Sequence, residues 1–598
     1  MPRRVARIRA VLRRASPARR LGATLLVLAV VLSVFAGRLV QLQGLDAGQF
    51  RAAANSQRLG QVAIPAVRGE ITSSDGSVLA MTESTDTVFA DPELIPAGQR
   101  GPVAAALAAP LHMAALTIEG LLDNPPFGPA YVVLAKNVPA TTGQQITNLK
   151  LPGVDMTPTY TRSYPSGDLA SDIVGFTNTS GRGALTGEAG LEYEYNSLLA
   201  GRPGSEEIEE GVDGQPIPLT EQKLTPAVPA KSIRLTINSS IQYEADQVCQ
   251  QRVQVDHARN CSIVVMQPQT GAILAMAQWP TYNPVNPGTA STTNIAVANV
   301  FAPGSTLKPV TVAAALEHGG QTPLSTYTVP DRITIDDKYT GYNSYSFQDA
   351  ELHATEHYTI AGILANSSNV GMVQVVQHIT PQEQYDYLRA FGLGSSSGLS
   401  MPGETSGLLP EPGSSAYPHD TPLEYSFGQG LGVTAIQMAS IYSAIANGGV
   451  RVPPTLVAGT VSNGAYTPAR PGASRRVIKA KTARQLLTML QQVPMVDASA
   501  GEDWGLIPGY TVAAKTGTAQ VSAGGSKCLC QYGSSYIGIA PADNPQLVVA
   551  VNIQDPRGRY FGDEVAGPAF FDVMKFALQT MKIPPDYAKP PYIRLSKP

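Results

Sequence analysis

The sequence predicts an α+β protein: an antiparallel sheet flanked by helices, standing on an elongated N-terminal region and tethered by one transmembrane helix. Three observations carry this expectation. Strand-like segments around 233–276 and 509–553 bracket a helix-rich middle, so one sheet draws strands from both ends of the C-terminal part. An uncharged apolar run, Leu21 to Gly37, follows a basic tail. Between them, residues 42–231 are rich in turns and hold no chemical constellation.

At 598 residues the chain is too long for one domain. The expected parts are a cytoplasmic basic tail (1–20), a transmembrane anchor (21–41), a pedestal (42–231) and the domain that bears the chemistry (232–598). Only 15% of residues are charged, against a usual ~25%, and the net charge is −3. That balance argues against nucleic acid as a partner.

Residues 1–20 carry eight arginines and no acid, and Arg20 and Arg38 bracket the apolar run. The basic flank stays in the cytoplasm by the positive-inside rule, which places everything after about residue 42 outside. A cleaved signal peptide, cut near Val34-Phe-Ala36, is the competing reading.

In the pedestal, Phe50 to Arg58 reads as a helix leaving the membrane, and Arg68 to Leu79 as two short strands around an Asp75-Gly76 turn. Val103 to Leu122 reads as helical, and Gly190 to Gly201 as a helix closed by glycine. Leu219 to Lys231, with its prolines and lysines, reads as a linker. Beyond it come a strand at Ile233–Ile237, a helix at Ser240–Val253, and a hairpin of Ser262–Met266 with Gly271–Met276. Helices then fill much of the way to about 495. Strands come next at the Lys515 segment, at Tyr536–Ala540 and at Gln546–Ile553.

The chemistry gathers in three short stretches. In Phe301-Ala-Pro-Gly-Ser-Thr-Leu-Lys-Pro309, Ser305 and Lys308 are three apart, on one face of a helix that starts there. Pro309 fits a first helical turn, where its missing N–H had no partner. A serine hydroxyl needs a base to become a nucleophile, and a buried lysine with a lowered pKa can serve. Ser367-Ser-Asn369 offers a proton relay in Ser367 and a substrate-holding amide in Asn369. Lys515-Thr-Gly-Thr518 lies on a strand. There Lys515 supplies positive charge, Gly517 permits close approach, and Thr516 and Thr518 can bind a carboxylate. The order S-x-x-K, S-x-N, K-T-G resembles the penicillin-recognising serine acyltransferases.

Further stretches narrow that resemblance to the class B penicillin-binding proteins, the monofunctional peptidoglycan transpeptidases, over about residues 38–585. Arg68-Gly-Glu-Ile71 with Asp75-Gly76, and Gly190-Leu-Glu192 with Tyr195 and Gly201, look like motifs of the family's N-terminal region. Ser426-Phe-Gly-Gln-Gly430 with Thr434, Gln437-Met-Ala439 and Ala444 to Gly449 is similar to the motif between its second and third triplets. Thr72-Ser-Ser-Asp75 departs from the family's usual Asp-Arg-Asn. The membrane exit Arg38-Leu-Val-Gln-Leu-Gln43 looks most like the cell-division subgroup.

The resemblance implies a penicillin-binding transpeptidase domain on a dimerisation-like pedestal. It implies Ser305 as acyl-enzyme nucleophile, Lys308 as its base, Ser367 as proton shuttle, Asn369 as substrate ligand and Lys515 as charge stabiliser. The N–H groups of Ser305 and Thr518 would form the oxyanion hole. Stem peptides ending in D-Ala-D-Ala would be substrates, on lipid-linked or nascent glycan, and β-lactams inhibitors. A polytopic glycosyltransferase and divisome proteins would be partners, and neither metal nor organic cofactor is required. An elongation-type transpeptidase, a β-lactam sensor and a β-lactamase are the alternatives. Against the last, no E-x-x-L-N string comes after the second triplet.

Three patterns look chemical without supporting context. His353-Ala-Thr-Glu-His357 matches an inverted zinc-protease motif but has no obvious third ligand. Gly394-Ser-Ser-Ser-Gly398 lacks the strand and helix of a nucleophile elbow. Arg470 to Lys481 reads as a solvated basic face. Four cysteines outside the membrane allow three pairings. Cys249 with Cys261 is favoured, which leaves Cys528 and Cys530 to pair or remain thiols.

Overall fold

The computed structural model describes residues 16–50, 59–126, 128–179, 184–209, 223–336, 344–521 and 530–597. By its internal contacts the chain forms two compact units.

The first unit takes in residues up to Ile64 together with Pro203–Val228. Its helix α1 (Pro17–Val40) runs on as a π-helical turn over Gln41–Leu45. The whole stretch of 29 residues is apolar enough to cross a membrane. At 1.5 Å per residue it is about 43 Å long, against ~30 Å of hydrocarbon. None of α1 is buried, and Leu25, Leu28, Leu32 and Phe35 are all exposed, as on a helix that faces lipid. The unit also holds an antiparallel sheet of Leu59–Ile64, Gly204–Glu209 and Lys223–Thr225. The last strand lies in the predicted linker: Lys223–Thr225 has a backbone partner in Ser205–Glu207. The helix predicted for Phe50–Arg58 falls, from residue 51 on, outside the described residues.

The second unit comprises Pro65–Arg202 and Pro229–Pro598. In its first part a long strand, Val78–Ala90, pairs with Val132–Pro139 and Val154–Ser163. Val88, Leu107, Ile118 and Leu122 share the core beneath. The helix predicted across Val103–Leu122 is two, Arg100–Ala108 and Ala115–Asp123. Pro110 removes a donor between them, and the chain turns at His112 with φ 51°. The Gly190–Gly201 segment is also two short helices, Gly190–Glu194 and Asn196–Leu199. Glu192 there is fully buried between Arg68 and Arg162, with 2.6 Å contacts to each.

This first part is sewn to the C-terminal residues of the same unit. Ile71–Thr72 pairs in parallel with Ser232–Leu235, which pairs antiparallel with Val457–Ser462. Asn294 donates to Asp172, and the Tyr282 hydroxyl donates to the Ser171 carbonyl at 2.9 Å.

The central sheet has five strands: β1 (Asn260–Met266), β2 (Ile273–Trp279), β3 (Ala513–Val521), β4 (Gln531–Ala540) and β5 (Leu547–Gln554). Their order is β2-β1-β5-β4-β3, antiparallel throughout, so both ends of the domain do build one sheet. Strand side chains alternate between faces. Ile263 and Val265 accordingly join a core with α2 (Ser239–Val255) and a C-terminal helix (Gly567–Thr580). Val264 and Met266 join the opposite core, with α3 (Lys308–Glu317), α4 (Asn369–Val376) and α5 (Ala435–Ala446). Every residue of α5 is buried, which makes it the axis of the helical side. Cys249 of α2 is disulfide-bonded to Cys261 of β1. Cys530 is also disulfide-bonded, and Cys528 lies outside the described residues.

Candidate active site

Ser305 sits in a single 3-10 turn, Gly304–Leu307, and α3 begins only at Lys308. The predicted helical spacing of Ser305 and Lys308 therefore spans a tighter turn than an α-helix. Pro309 occupies the first turn of α3, where it costs no hydrogen bond. Gly304 takes φ 55°, and its N–H donates to Gly428 O at 3.0 Å. The Tyr442 hydroxyl of α5 donates to Thr306 O at 2.8 Å. The Ser426–Gly430 segment and α5 thus fix the backbone of the turn. Ser305 stays half-buried and open to a ligand, while Lys308 is fully buried.

Lys308 Nζ donates to the Ser367 carbonyl and, at 3.3 Å, to the Ser367 hydroxyl. Burial pushes its pKa well below that of an ordinary lysine, and the Lys515 charge lowers it further. Asp349 opposes the shift. A neutral amine at Lys308 is what a general base for Ser305 requires.

Ser367 takes φ 57°, and Asn369 opens α4. The group that holds this corner is Asp349, 8% exposed. Its carboxylate accepts the N–H of Asn369 at 2.5 Å, the N–H of Val370 at 2.9 Å and the Ser368 hydroxyl at 2.7 Å. His353 Nε2 lies 3.0 Å from it, and His353 Nδ1 lies 2.7 Å from Ala354 O. Burial opposes charge on His353, but the Ala354 carbonyl and Asp349 outweigh it and raise the pKa. The Asn369 side chain donates to Gln348 O at 3.3 Å.

Lys515 lies on β3, fully buried, and donates to the Thr516 carbonyl and hydroxyl at 3.2 Å each. Burial brings its pKa down to about 8, held up by Asp497 and Asp563. Gly517 meets the nucleophile turn closely: a Cβ there would lie 2.8 Å from Thr306 Cγ2 and 3.0 Å from Pro303 O. The Thr518 hydroxyl accepts the Gly562 N–H at 3.1 Å, which leaves its own proton for a ligand. The structure brings Ser305, Lys308, Ser367, Asn369, Lys515, Thr516, Gly517 and Thr518 to one region, where β3 meets the turn before α3 and the start of α4.

His353 and His357 do not share a helix face: His353 is on a loop, and His357 is on the strand Glu356–Thr359. No group of three or more His, Cys, Asp or Glu among the described residues could hold a metal ion. Gly394–Gly398 is a turn, and Arg470, Arg475, Arg476, Lys479 and Lys481 are exposed.

Sequence reasoning passes over Asp349 and Asp497. Asp349 acts on backbone N–H groups 20 and 21 residues away, which no local motif reveals. The only local signal is an acid at the end of an alternating strand, Ser344–Gln348. Asp497 sits on the helix Gln492–Ser499, and nothing in its neighbourhood of the sequence marks it.

Comparison with known proteins identifies the family. The penicillin binding protein transpeptidase domain matches residues 261–575, and the penicillin-binding protein dimerisation domain matches residues 63–235. Penicillin-binding protein PbpB of Mycobacterium tuberculosis is 33% identical, covering 94% of this chain and 85% of that protein. Peptidoglycan D,D-transpeptidase FtsI of Escherichia coli is 30% identical, covering 94% of this chain and 92% of its own. The crystal structure of penicillin binding protein 3 from Mycobacterium tuberculosis, complexed with aztreonam, superposes with a TM-score of 0.67 at 28% identity. It covers 90% of this chain and 100% of that one. With the family model spanning more than half its length, the chain belongs to the class B penicillin-binding proteins, in the group that holds PbpB and FtsI.

Proposed function

We propose that the protein is a peptidoglycan D,D-transpeptidase of septal wall synthesis, anchored by α1 with its catalytic domain outside the cytoplasmic membrane. The observation that carries the chemistry is Lys308: fully buried, one turn from Ser305, with its amine on the Ser367 hydroxyl. In this reading the parts are a basic tail at 1–20, an anchor at 21–41, a pedestal at 42–231 and a transpeptidase domain at 232–598.

Ser305 Oγ attacks the carbonyl of the penultimate D-Ala of a stem peptide, and its proton passes to Lys308. The N–H groups of Ser305 and Thr518 receive the oxyanion, each donor worth about 3 kcal/mol in such sites. Ser305 lies in a first helical turn, where the N–H has no acceptor within the helix. The C–N bond breaks, and the terminal D-Ala leaves as an amine with a proton relayed through Ser367. Asn369 holds the peptide amide, and Lys515, Thr516 and Thr518 hold the terminal carboxylate. An amine of a neighbouring stem then attacks the acyl-enzyme, its proton returns through Lys308, and a peptide bond replaces the ester. A β-lactam acylates Ser305 in the same way, but its leaving nitrogen stays tethered and blocks the acceptor.

The relatives' names support the activity and the septal role. The arginine-rich flank before α1 supports a cytoplasmic N-terminus. A polytopic glycosyltransferase and division proteins are the partners proposed for it, because peptide cross-linking at Ser305 works on glycan strands that another activity must polymerise. Two measurements test the reading. Intact mass after penicillin treatment is expected to show one adduct on wild type and none on Ser305→Ala. A fluorescent fusion is expected at forming septa; signal confined to lateral wall or growing tips would overturn the division role alone.

A further inference from the structure

Lys515 presents a problem that its hydrogen bonds do not solve. Its ammonium is fully buried, yet its hydrogen bonds go to the neutral carbonyl and hydroxyl of Thr516. A buried charge without an opposite charge is costly and tends to neutralise itself. No carboxylate among the described residues lies within salt-bridge distance of it, but the helix Gln492–Ser499, which bears Asp497, packs against β3, and the short helix Gly562–Val565, which bears Asp563, packs against β3 and β4.

The two differ in how they are engaged. Asp563 accepts the N–H of Glu564 at 3.1 Å. Asp497 keeps one carboxylate oxygen, Oδ2, buried and without a hydrogen-bond partner. The Tyr536 hydroxyl is buried without a partner in the same region. Tyr536 pairs with Thr516 across β3 and β4 and feels the charge of Asp497. Glu502, the other acid facing Asp497 besides Asp563, is held by the Trp504 indole at 2.8 Å. Lys308 is the other cation that feels Lys515.

We propose that Asp497 is a positioning residue for catalysis: its carboxylate, with Oδ2 buried and unpartnered, is the counter-charge that keeps Lys515 in the cationic form that captures the substrate's terminal carboxylate. The proposal rests on the transpeptidase reading of Lys515. Burial brings the carboxyl of Asp497 up to about 7, with Asp563 and Glu502 adding to the shift and Lys515 opposing it. Each of the two charges favours the ionised form of the other: Lys515 opposes the rise at Asp497, and Asp497 opposes the fall at Lys515. Removing that charge lets Lys515 deprotonate at lower pH. Carboxylate capture then fails sooner on the alkaline side.

The test is the pH profile of acylation of the full chain in detergent by a fluorescent penicillin, which carries the carboxylate. Wild type is expected to lose acylation rate as pH rises through about 8. In Asp497→Asn the same alkaline limb is expected to move down by on the order of one pH unit, for loss of one nearby opposite charge. Asp497→Glu, which keeps the charge, is expected to hold the limb close to wild type. An unmoved limb in Asp497→Asn, or a limb in Asp497→Glu displaced as far as in Asp497→Asn, would overturn the proposal. Should Asp497→Asn not fold, Asp497→Ser takes its place under the same criteria. Absence of any acylation of wild type would instead overturn the transpeptidase reading, so the two failures are distinguishable.

Discussion

Lys308 Nζ lies 3.3 Å from the hydroxyl of Ser367, a residue 59 positions further along the chain. If Lys308 is the base, its loss removes proton transfer and spares ligand binding. Lys308→Ala is expected to lower the acylation rate by ~10²–10⁴, with pre-covalent affinity little changed. Stopped-flow acylation at varied penicillin concentration separates the two constants; a rate within a few-fold of wild type would remove Lys308 from the role.

The same lysine carries a stability cost whose sign is fixed. Burial lowers its pKa in the folded state below that of the unfolded chain. The unfolded state therefore binds the proton more strongly, and stability rises with pH between the folded and unfolded values. Below the folded value the full cost of burying the cation is present; above the unfolded value it is gone. Lys308→Met is expected to melt a few degrees higher than wild type at neutral pH, with the gap closing above about pH 10.4. Differential scanning calorimetry at two pH values measures it.

Asp349 caps the corner that presents Asn369. Asp349→Ala leaves the Asn369 and Val370 N–H groups without their acceptor, for a cost of roughly 1–3 kcal/mol. Acylation is expected to fall alongside, because Ser367 and Asn369 lose their fixed geometry. Asp349→Asn keeps one acceptor oxygen and should lose less in both. Denaturant titration and acylation rate, measured on all three proteins, check the ranking.

Gly517→Ala places a methyl 2.8 Å from Thr306 Cγ2 and 3.0 Å from Pro303 O. Overpacking of this kind costs about 1–3 kcal/mol. Here the displaced neighbour is the nucleophile turn itself. The expected outcome is a fall in acylation of on the order of 10²-fold, as misplacement by about 1 Å produces, with only a moderate drop in melting temperature.

Glu192 is shared by Arg68 and Arg162 in a buried triad built within the first part of the second unit. Glu192→Ala strands two buried guanidinium groups and is expected to destabilise the fold by about 3–5 kcal/mol. Molecules that remain folded should acylate at the wild-type rate. Active-site titration with penicillin, paired with denaturant unfolding, distinguishes lost protein from lost chemistry.

The reach of the sequence depends on the range of each interaction. The strands at 262–276 and 536–553 were legible because each carries its own apolar pattern, and their positions imply the antiparallel sheet; the Lys515 strand was legible only in part, since its apolar run starts at Gly509 but the strand starts at Ala513. The Cys249–Cys261 pair was legible because a helix and the next strand follow each other with the cysteines only 12 residues apart, although Cys249 lies within α2 rather than at its end. Asp349 was not, because it serves backbone groups across a gap that includes a strand and a loop. The strand Lys223–Thr225 hid inside a segment whose prolines suggested a linker. The division of Val103–Leu122 depends on one proline that its apolar periodicity overshadows.

The pairing of Asn260 with Gln554 in the central sheet sets an order of events for a chain that emerges N-terminus first. Ser305 and Lys308 are made before β3, β4 and β5 exist. Until then the hairpin of β1 and β2 offers a bare, apolar edge, the kind of surface that seeks other strands. A half-made chain thus carries Ser305 and Lys308 but not Lys515. Such distant pairing is slow to form, so the interval before closure is where this protein is most open to aggregation and most in need of a holding chaperone.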